Sequence, residues 1–402
     1  MKITSVDCYV GIGSISGVIT VKVNTDEGIY GWGEAGLGYG SCTQAAYGQC
    51  VDFAKLIIGK DPFNTEEIWA DFHRHTFWGM GGGVVVTSAM AAFDTACWDI
   101  KGKALGVPVY KLIGGKTNQK LRAYASQLQF GWRKLIQSQQ ALGCLYDPQE
   151  YFDVTAEACA EGYDAIKVDP VFFPLERKPM AEVFRDQGNQ VRGCYRYHDL
   201  KRSVERIEAC REAGGDDMDI IVEIHSLLDA NTAAELGKAL EHCRIMYYEE
   251  PTSPENPNNF KHIKEKCNLP LATGERSYTR HGFRQFFEDR TLNVIQPDLC
   301  NTGGITETKK ICDMANVYDV GVQIHVCGGP IATAAALQVE ATIPNFVIHE
   351  EHNANLCDVW KRAGKYFYEP KNGFYDIPEL PGIGQEMSEE YIATAKFHTE
   401  VK

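Results

Sequence analysis

Six polar residues recur along the second half of the chain at a nearly fixed interval. They are Glu223, Glu249, Glu275, Asp298, His325 and Glu350, with gaps of 26, 26, 23, 27 and 25. Each closes a short apolar run: IIVEIH, IMYYEEP, LATGER, NVIQPDL, VQIH and NFVIHEE. Three carboxylates brought together in a dry pocket repel one another unless a cation neutralises them. An all-oxygen donor set suits Mg²⁺. Glu223, Glu249 and Glu275 are therefore candidate metal ligands. A carboxylate next to an imidazole fixes its tautomer and raises its basicity, so Asp298 and His325 form a candidate general-base pair. Glu350 is a further polar group at the same level.

Two shorter patterns add to this set. His225 follows Glu223 by two residues, which on an extended strand puts both side chains on one face. The pair could place a general acid beside the metal; a third nitrogen ligand or a core histidine are the alternatives. Lys167 and Asp169, in DAIKVDP, alternate to one face in the same way. Lys167 could bind a carboxylate or act as a base, while a Lys167–Asp169 salt bridge is the plainer outcome.

A strand, a crossover and a helix take about 25 residues, so the interval predicts repeated β/α units. LRAYAS (121–126) and DAIKVD (164–169) supply two more strands, separated by a helix around 149–161. Eight units over about 240 residues match a TIM barrel, whose chemistry sits at the C-terminal ends of its strands. Residues 1 to about 35 read as a β-meander with a hairpin turn at DEG, followed by helices near 42–59, 63–74 and 85–105. The expected fold is thus α/β: a modified TIM (β/α) barrel with an α+β N-terminal capping domain completed by the C-terminal tail. The expected divisions are residues 1–120, 121–355 and 356–402. One connection, from Asp169 to Ile220, is far longer than the rest and rich in aromatic and basic residues, which suits a lid or specificity loop. Tyr195, Arg196 and Tyr197 within it are candidate substrate contacts.

The bulk properties narrow the function. The chain has 402 residues, 54 acidic against 40 basic, for a net charge of -14. Such a balance argues against nucleic acid or an anionic membrane as partner. The N-terminus reads as lacking a signal peptide, and no apolar run approaches the ~20 residues of a membrane span. Fourteen cysteines are scattered without a CxxC pair, which fits free thiols in a reducing cytoplasm. GIGSISG (11–17) resembles a dinucleotide loop, but a strand rather than a helix follows it. His73 and His75 read as polar residues of the first domain.

These motifs resemble the enolase superfamily, and within it the mandelate racemase subgroup and its acid-sugar dehydratases. The likeness runs through GWGE (31–34), WDIKGK (98–103), LIGG (112–115) and the barrel. It implies that Glu223, Glu249 and Glu275 bind Mg²⁺, that Asp298 and His325 are the dyad, and that Glu350 hydrogen-bonds the substrate carboxylate opposite the metal. The Glu-x-His pair and the GGPIA after the base are most similar to galactonate dehydratases, in which the histidine after the first ligand is the acid that expels the hydroxyl; here that is His225. Two positions depart from the pattern. The family usually has Asp where this chain has Glu223, and galactonate dehydratases have Lys-x-Asn where this chain has Lys167-x-Asp169. The long insertion is similar to that of mannonate dehydratases, which use Arg at the Lys167 position and lack an Asp298 equivalent.

The expectation is a Mg²⁺-dependent, cytoplasmic, homo-oligomeric hydro-lyase acting on a small sugar acid. An aldonate such as galactonate, gluconate or mannonate would lose its α-proton and 3-hydroxyl to give a 2-keto-3-deoxy acid. Lys167 and Glu350 would complete the carboxylate clamp, with Asp169, Tyr195 and Tyr197 reading the substrate. The rivals are an aldarate dehydratase, an epimerase or racemase using Lys167 and His325 on opposite faces, and a catalytically degenerate binding or regulatory protein.

Overall fold

The computed structural model describes residues 1–11, 18–38, 42–133, 145–171 and 194–402. GIGSISG beyond Gly11 and residues 172–193 of the long insertion lie outside the described residues. Strands β1 (Ile3–Val10), β2 (Ile19–Thr25) and β3 (Tyr30–Ala35) form an antiparallel meander. The turn between β2 and β3 is closed by Gly28, whose φ of 74° suits glycine. The C-terminal strand β13 (Phe397–Val401) adds to the free edge of β1, so the tail does return to the first domain. Helices Thr43–Ile57, Thr65–Ala70 and Gly83–Leu105 cover one face of this sheet. Val6, Val21, Val23, Phe53, Ile57, Phe72 and Phe93 fill the core between them.

The GWGE stretch in β3 shows how period-2 alternation links the two halves of the molecule. Gly31 and Gly33 face the helix Gly83–Leu105. A Cβ at Gly33 would lie 1.7 Å from the Ala92 carbonyl oxygen, and one at Gly31 would lie 2.1 Å from that of Ala96. Only glycine allows this approach. Trp32 and Glu34 point the other way. Trp32 packs into the barrel's hydrophobic cluster. Glu34 is buried and accepts hydrogen bonds from the backbone N–H groups of Gly329 (2.5 Å) and Ala332 (3.1 Å). These belong to the first turn of the helix Pro330–Glu340, which begins just after His325. Asp99 of WDIKGK likewise accepts from Trp32 N, Ile383 N and Lys103 Nζ, joining the first domain to the tail.

The barrel strands are β4 (Leu121–Ser126), β5 (Ala165–Val168), β6 (Asp219–Glu223), β7 (Tyr247–Glu249), β8 (Leu271–Thr273), β9 (Val294–Ile295), β10 (Gly321–Val322) and β11 (His349–His352). All pair in parallel in chain order, and β11 returns to pair with β4. A parallel bridge between Val322 and Phe346 joins the two ends of the sheet. A short strand β12 (Phe374–Tyr375) from the tail runs antiparallel to the start of β4, at Leu121 and Arg122. Apolar faces of the helices between strands, such as Phe260 and Ile263, or Phe283, Phe286 and Phe287, pack onto the strands from outside.

The expected fold is therefore present. The strands are shorter than the apolar runs suggested, so Glu275, Asp298 and His325 stand two or three residues beyond a strand end. Among the described residues no helix is long and apolar enough to cross a membrane. We predict that Glu34→Ala, which leaves two helix N-terminal donors buried and unpaired, lowers unfolding free energy by about 1–3 kcal/mol. Urea unfolding checks this; an unchanged midpoint would contradict the role given to Glu34.

Candidate active site and metal centre

Strand register places the first two carboxylates side by side. Glu223 on β6 pairs with Glu249 on β7, and Glu275 follows the end of β8. One carboxylate oxygen from each of the three lies within 4.8 Å of those of the others. Lys167, at 1% exposure, enters this group from β5. Its Nζ is 2.8 Å from Glu249 Oε1, 2.8 Å from Glu350 Oε1 and 3.2 Å from Glu223 Oε2. Burial lowers the affinity of the ammonium for its proton, but Glu223, Glu249 and Glu350 outweigh it and hold Lys167 well above its ordinary pKa. Glu350 is fixed further by Ser126 Oγ (2.7 Å) and Val326 N (3.0 Å).

His325 lies across the pocket. Its Nδ1 is 2.8 Å from Asp298 Oδ2, and its Nε2 is 3.0 Å from Glu275 Oε2. Asp298 and His325 also share an isolated parallel bridge, so backbone pairing sets the side-chain contact. Asp298 Oδ1 accepts from Cys300 N, which leaves Oδ2 for the imidazole. Burial pulls the His325 pKa down, but Glu275, Glu350 and Asp298 together drive it well above the usual range.

His225 does not leave an extended strand as its spacing suggested. Strand β6 stops at Glu223, and His225 and Ser226 have φ of 50° and 59°. This left-handed turn carries the imidazole to Asp169, with Nδ1 2.7 Å from Asp169 Oδ2, and leaves Nε2 3.3 Å from Glu223 Oε1. Burial opposes charge on this ring, but Glu223 and Asp169 push its pKa up to about 9. The simple Lys167–Asp169 salt bridge is not formed: Lys167 turns to the glutamates and Asp169 to His225. Tyr195 is buried, with its hydroxyl 2.7 Å from Ser203 Oγ. Tyr197 is 79% exposed. Neither hydrogen-bonds Glu223, Glu249 or Glu275.

Several neighbours were not singled out from sequence. Arg276, the last residue of GER, pairs with both Glu275 and Glu250. Ser126 and Gln127 close β4 as the other site residues close their strands, and that position was the available signal. Gln127 Nε2 is 3.4 Å from Glu223 Oε2.

The donor set fits a hard divalent cation. Glu223 and Glu249 each give one oxygen to Lys167, while Glu223 Oε1 and Glu249 Oε2 are buried without a hydrogen bond. Among the described residues, seven carboxylates (Asp169, Glu223, Glu249, Glu250, Glu275, Asp298 and Glu350) face Lys167, Arg276, His225 and His325, with His352 beside Glu350 held neutral by burial, which lowers its pKa to about 4. The excess of negative charge in a water-poor pocket favours a bound cation.

The sequence matches the mandelate racemase / muconate lactonizing enzyme N-terminal domain over residues 8–114 and the enolase C-terminal domain-like family over residues 152–391. The chain belongs to the enolase superfamily. Among its relatives is a D-galactonate dehydratase of Variovorax paradoxus, 33% identical over 93% of this chain and 90% of the relative. A D-gluconate/D-galactonate dehydratase of Picrophilus torridus is 30% identical over 93% of this chain and 87% of its own length. A solved enolase-superfamily member from Salmonella Typhimurium superposes with a TM-score of 0.93 and 48% identity, covering 100% of both chains.

For this enolase-superfamily protein we predict that Mg²⁺ raises the melting temperature after EDTA treatment. At 100 times its Kd the ion adds about 2.7 kcal/mol. Glu249→Gln should remove most of that increment in a thermal-shift titration, whereas an equal Mg²⁺ response in wild type and variant would place the ion elsewhere.

Proposed function

We propose that the protein is a Mg²⁺-dependent hydro-lyase that dehydrates an aldonate such as galactonate, gluconate or mannonate to a 2-keto-3-deoxy acid. The observation that carries this reading is the pair of imidazoles on opposite sides of the carboxylate cluster. The relatives named as D-galactonate and D-gluconate dehydratases support the substrate class. In this reading Glu223, Glu249 and Glu275 hold the ion, which supplies positive charge for a substrate carboxylate as that group gains electron density. His325 Nε2 takes the α-proton while Asp298 holds Nδ1. Lys167 and Glu350 line the side on which the substrate carboxylate binds. His225 gives its Nε2 proton to the 3-hydroxyl as the C–O bond breaks, and water leaves. The resulting enol tautomerises to the keto acid. The capping domain, residues 1–120, and the long insertion would shield the reaction and read the distal hydroxyls. The same reading places the enzyme in the cytoplasm as a homo-oligomer.

The epimerase reading asks Lys167 to serve as the base opposite His325. A base must be available uncharged. With an ion held by Glu223, Glu249 and Glu275, the pull of Glu275 on His325 Nε2 is relieved, whereas Glu350, outside that ligand set, still holds the Lys167 ammonium at 2.8 Å. That arrangement supports a positively charged clamp instead, and an acid at His225 serves elimination better than epimerisation. Incubation of aldonic acids with Mg²⁺, followed by semicarbazide detection of 2-keto-3-deoxy products, tests the proposal. We expect product from at least one acid and a fall of at least about 10²-fold in His325→Asn. Deuterium uptake at the α-carbon without any keto product would favour epimerisation, and neither product nor uptake would favour a binding protein.

A further inference from the structure

The geometry points to Asp169 as the positioning residue of the acid: it forms with His225 a second His–Asp dyad that faces the His325–Asp298 dyad across the carboxylates. The inference rests on the dehydratase reading and adds to it the group that selects which nitrogen of His225 meets the substrate. The two pairs have the same construction. In each, an aspartate Oδ2 accepts from Nδ1, at 2.7 Å for His225 and 2.8 Å for His325, and Nε2 turns to the cluster. In each, Oδ1 of the same aspartate accepts a backbone N–H two residues on: Val171 N for Asp169 and Cys300 N for Asp298, both at 2.8 Å. A carboxylate anchored this way has one oxygen committed to the chain and one left for the imidazole.

The local backbone is bent to make the contact. His225 and Ser226 both occupy the left-handed region, a costly conformation for residues other than glycine. Ser226 is tied down by its N–H to the Glu250 carbonyl oxygen at 2.8 Å and by its hydroxyl to the Glu250 carboxylate. Both Asp169 oxygens are engaged, Oδ1 by Val171 N and Oδ2 by His225 Nδ1, so neither is left for a substrate. Its effect on a substrate passes through His225.

During elimination the Nε2–H bond of His225 breaks, its proton joins the departing hydroxyl oxygen, and water is released. Asp169 holds the Nδ1 proton throughout, so the ring that remains is the neutral Nδ1–H tautomer. Asparagine at 169 can donate to Nδ1 and so favour the wrong tautomer.

The test uses wild type, Asp169→Asn, His225→Asn and the double variant, with D-galactonate and D-gluconate as probes and Mg²⁺ present. Water loss is followed with semicarbazide and α-proton exchange in D₂O by NMR. Asp169→Asn should slow water loss by about 10²-fold or more while exchange by His325 is retained, and it should add no further loss in the His225→Asn background. A parallel fall of exchange and water loss, or an additive double variant, would overturn the inference and leave Asp169 a general structural group. ¹⁵N spectra of histidine-labelled protein, assigned with His225→Asn, supply a readout independent of turnover. Nδ1 of His225 should be protonated in wild type and lose that proton in Asp169→Asn; an unprotonated Nδ1 in wild type would overturn the inference too. If wild type dehydrates neither acid while the ¹⁵N result holds, the substrate reading fails and the dyad stands.

Discussion

Lys167 and the carboxylates around it are the interaction from which the site is built. An ammonium with 1% exposure is tolerable only with close partners, since burying an unpaired charge is far more costly than any single hydrogen bond is favourable. Three glutamates meet that need, drawn from β6, β7 and β11, so the contact ties together strands widely separated in sequence. The converse also holds. Glu223 and Glu249 are adjacent in register, and parallel strands lie about 4.8 Å apart, so without a cation between them they would force each other to take up protons. Burial, with Glu223 alongside, already pushes the Glu249 carboxyl up to about 8. The lysine relieves part of that repulsion and leaves Glu249 Oε2 and Glu223 Oε1 buried without a hydrogen bond, the second with His225 Nε2 3.3 Å away.

Other features of the molecule arrange groups around this charge cluster. Each of the two imidazoles is oriented by an aspartate anchored to its own loop. The His325 side is braced from the first domain, because Glu34 holds the first turn of the helix that starts five residues after His325. Asp94 makes a parallel connection, accepting from Thr306 N at 2.8 Å and Thr306 Oγ1 at 2.6 Å in the segment after Asp298. The capping domain thus grips the two loops that carry the His325–Asp298 pair, which couples the stability of one domain to the geometry of the other.

Much of this was legible in the sequence, for a physical reason. Parallel strands of a barrel present the same end to one mouth, so a repeat of polar residues at one β/α interval announces a shared site. That logic identified the carboxylates, the His325–Asp298 pair and Lys167, all of which the fold brings together. Alternation and helical spacing put GWGE and WDIKGK in the first domain, without showing that Glu34 holds a barrel helix and Asp99 the tail. The logic ran out where the backbone leaves the strand. His225 was placed by assuming continued alternation, but its positive φ turns it towards Asp169, and alternation alone cannot report such a turn. Tyr195 and Tyr197 were chosen by composition. One packs onto the helix that carries Ser203, the other faces solvent, and nothing in their residue type distinguishes those outcomes.

We propose that Glu223, Glu249 and Glu275 form one cation site beside Lys167. A crystal of the protein grown with Mn²⁺ in place of Mg²⁺, with data collected for the anomalous signal of manganese, tests it most directly. A single strong peak within coordination distance of an oxygen from each of the three glutamates is the predicted result. A peak bound by other residues, or no peak at saturating Mn²⁺ with Lys167 alone neutralising the cluster, would contradict it.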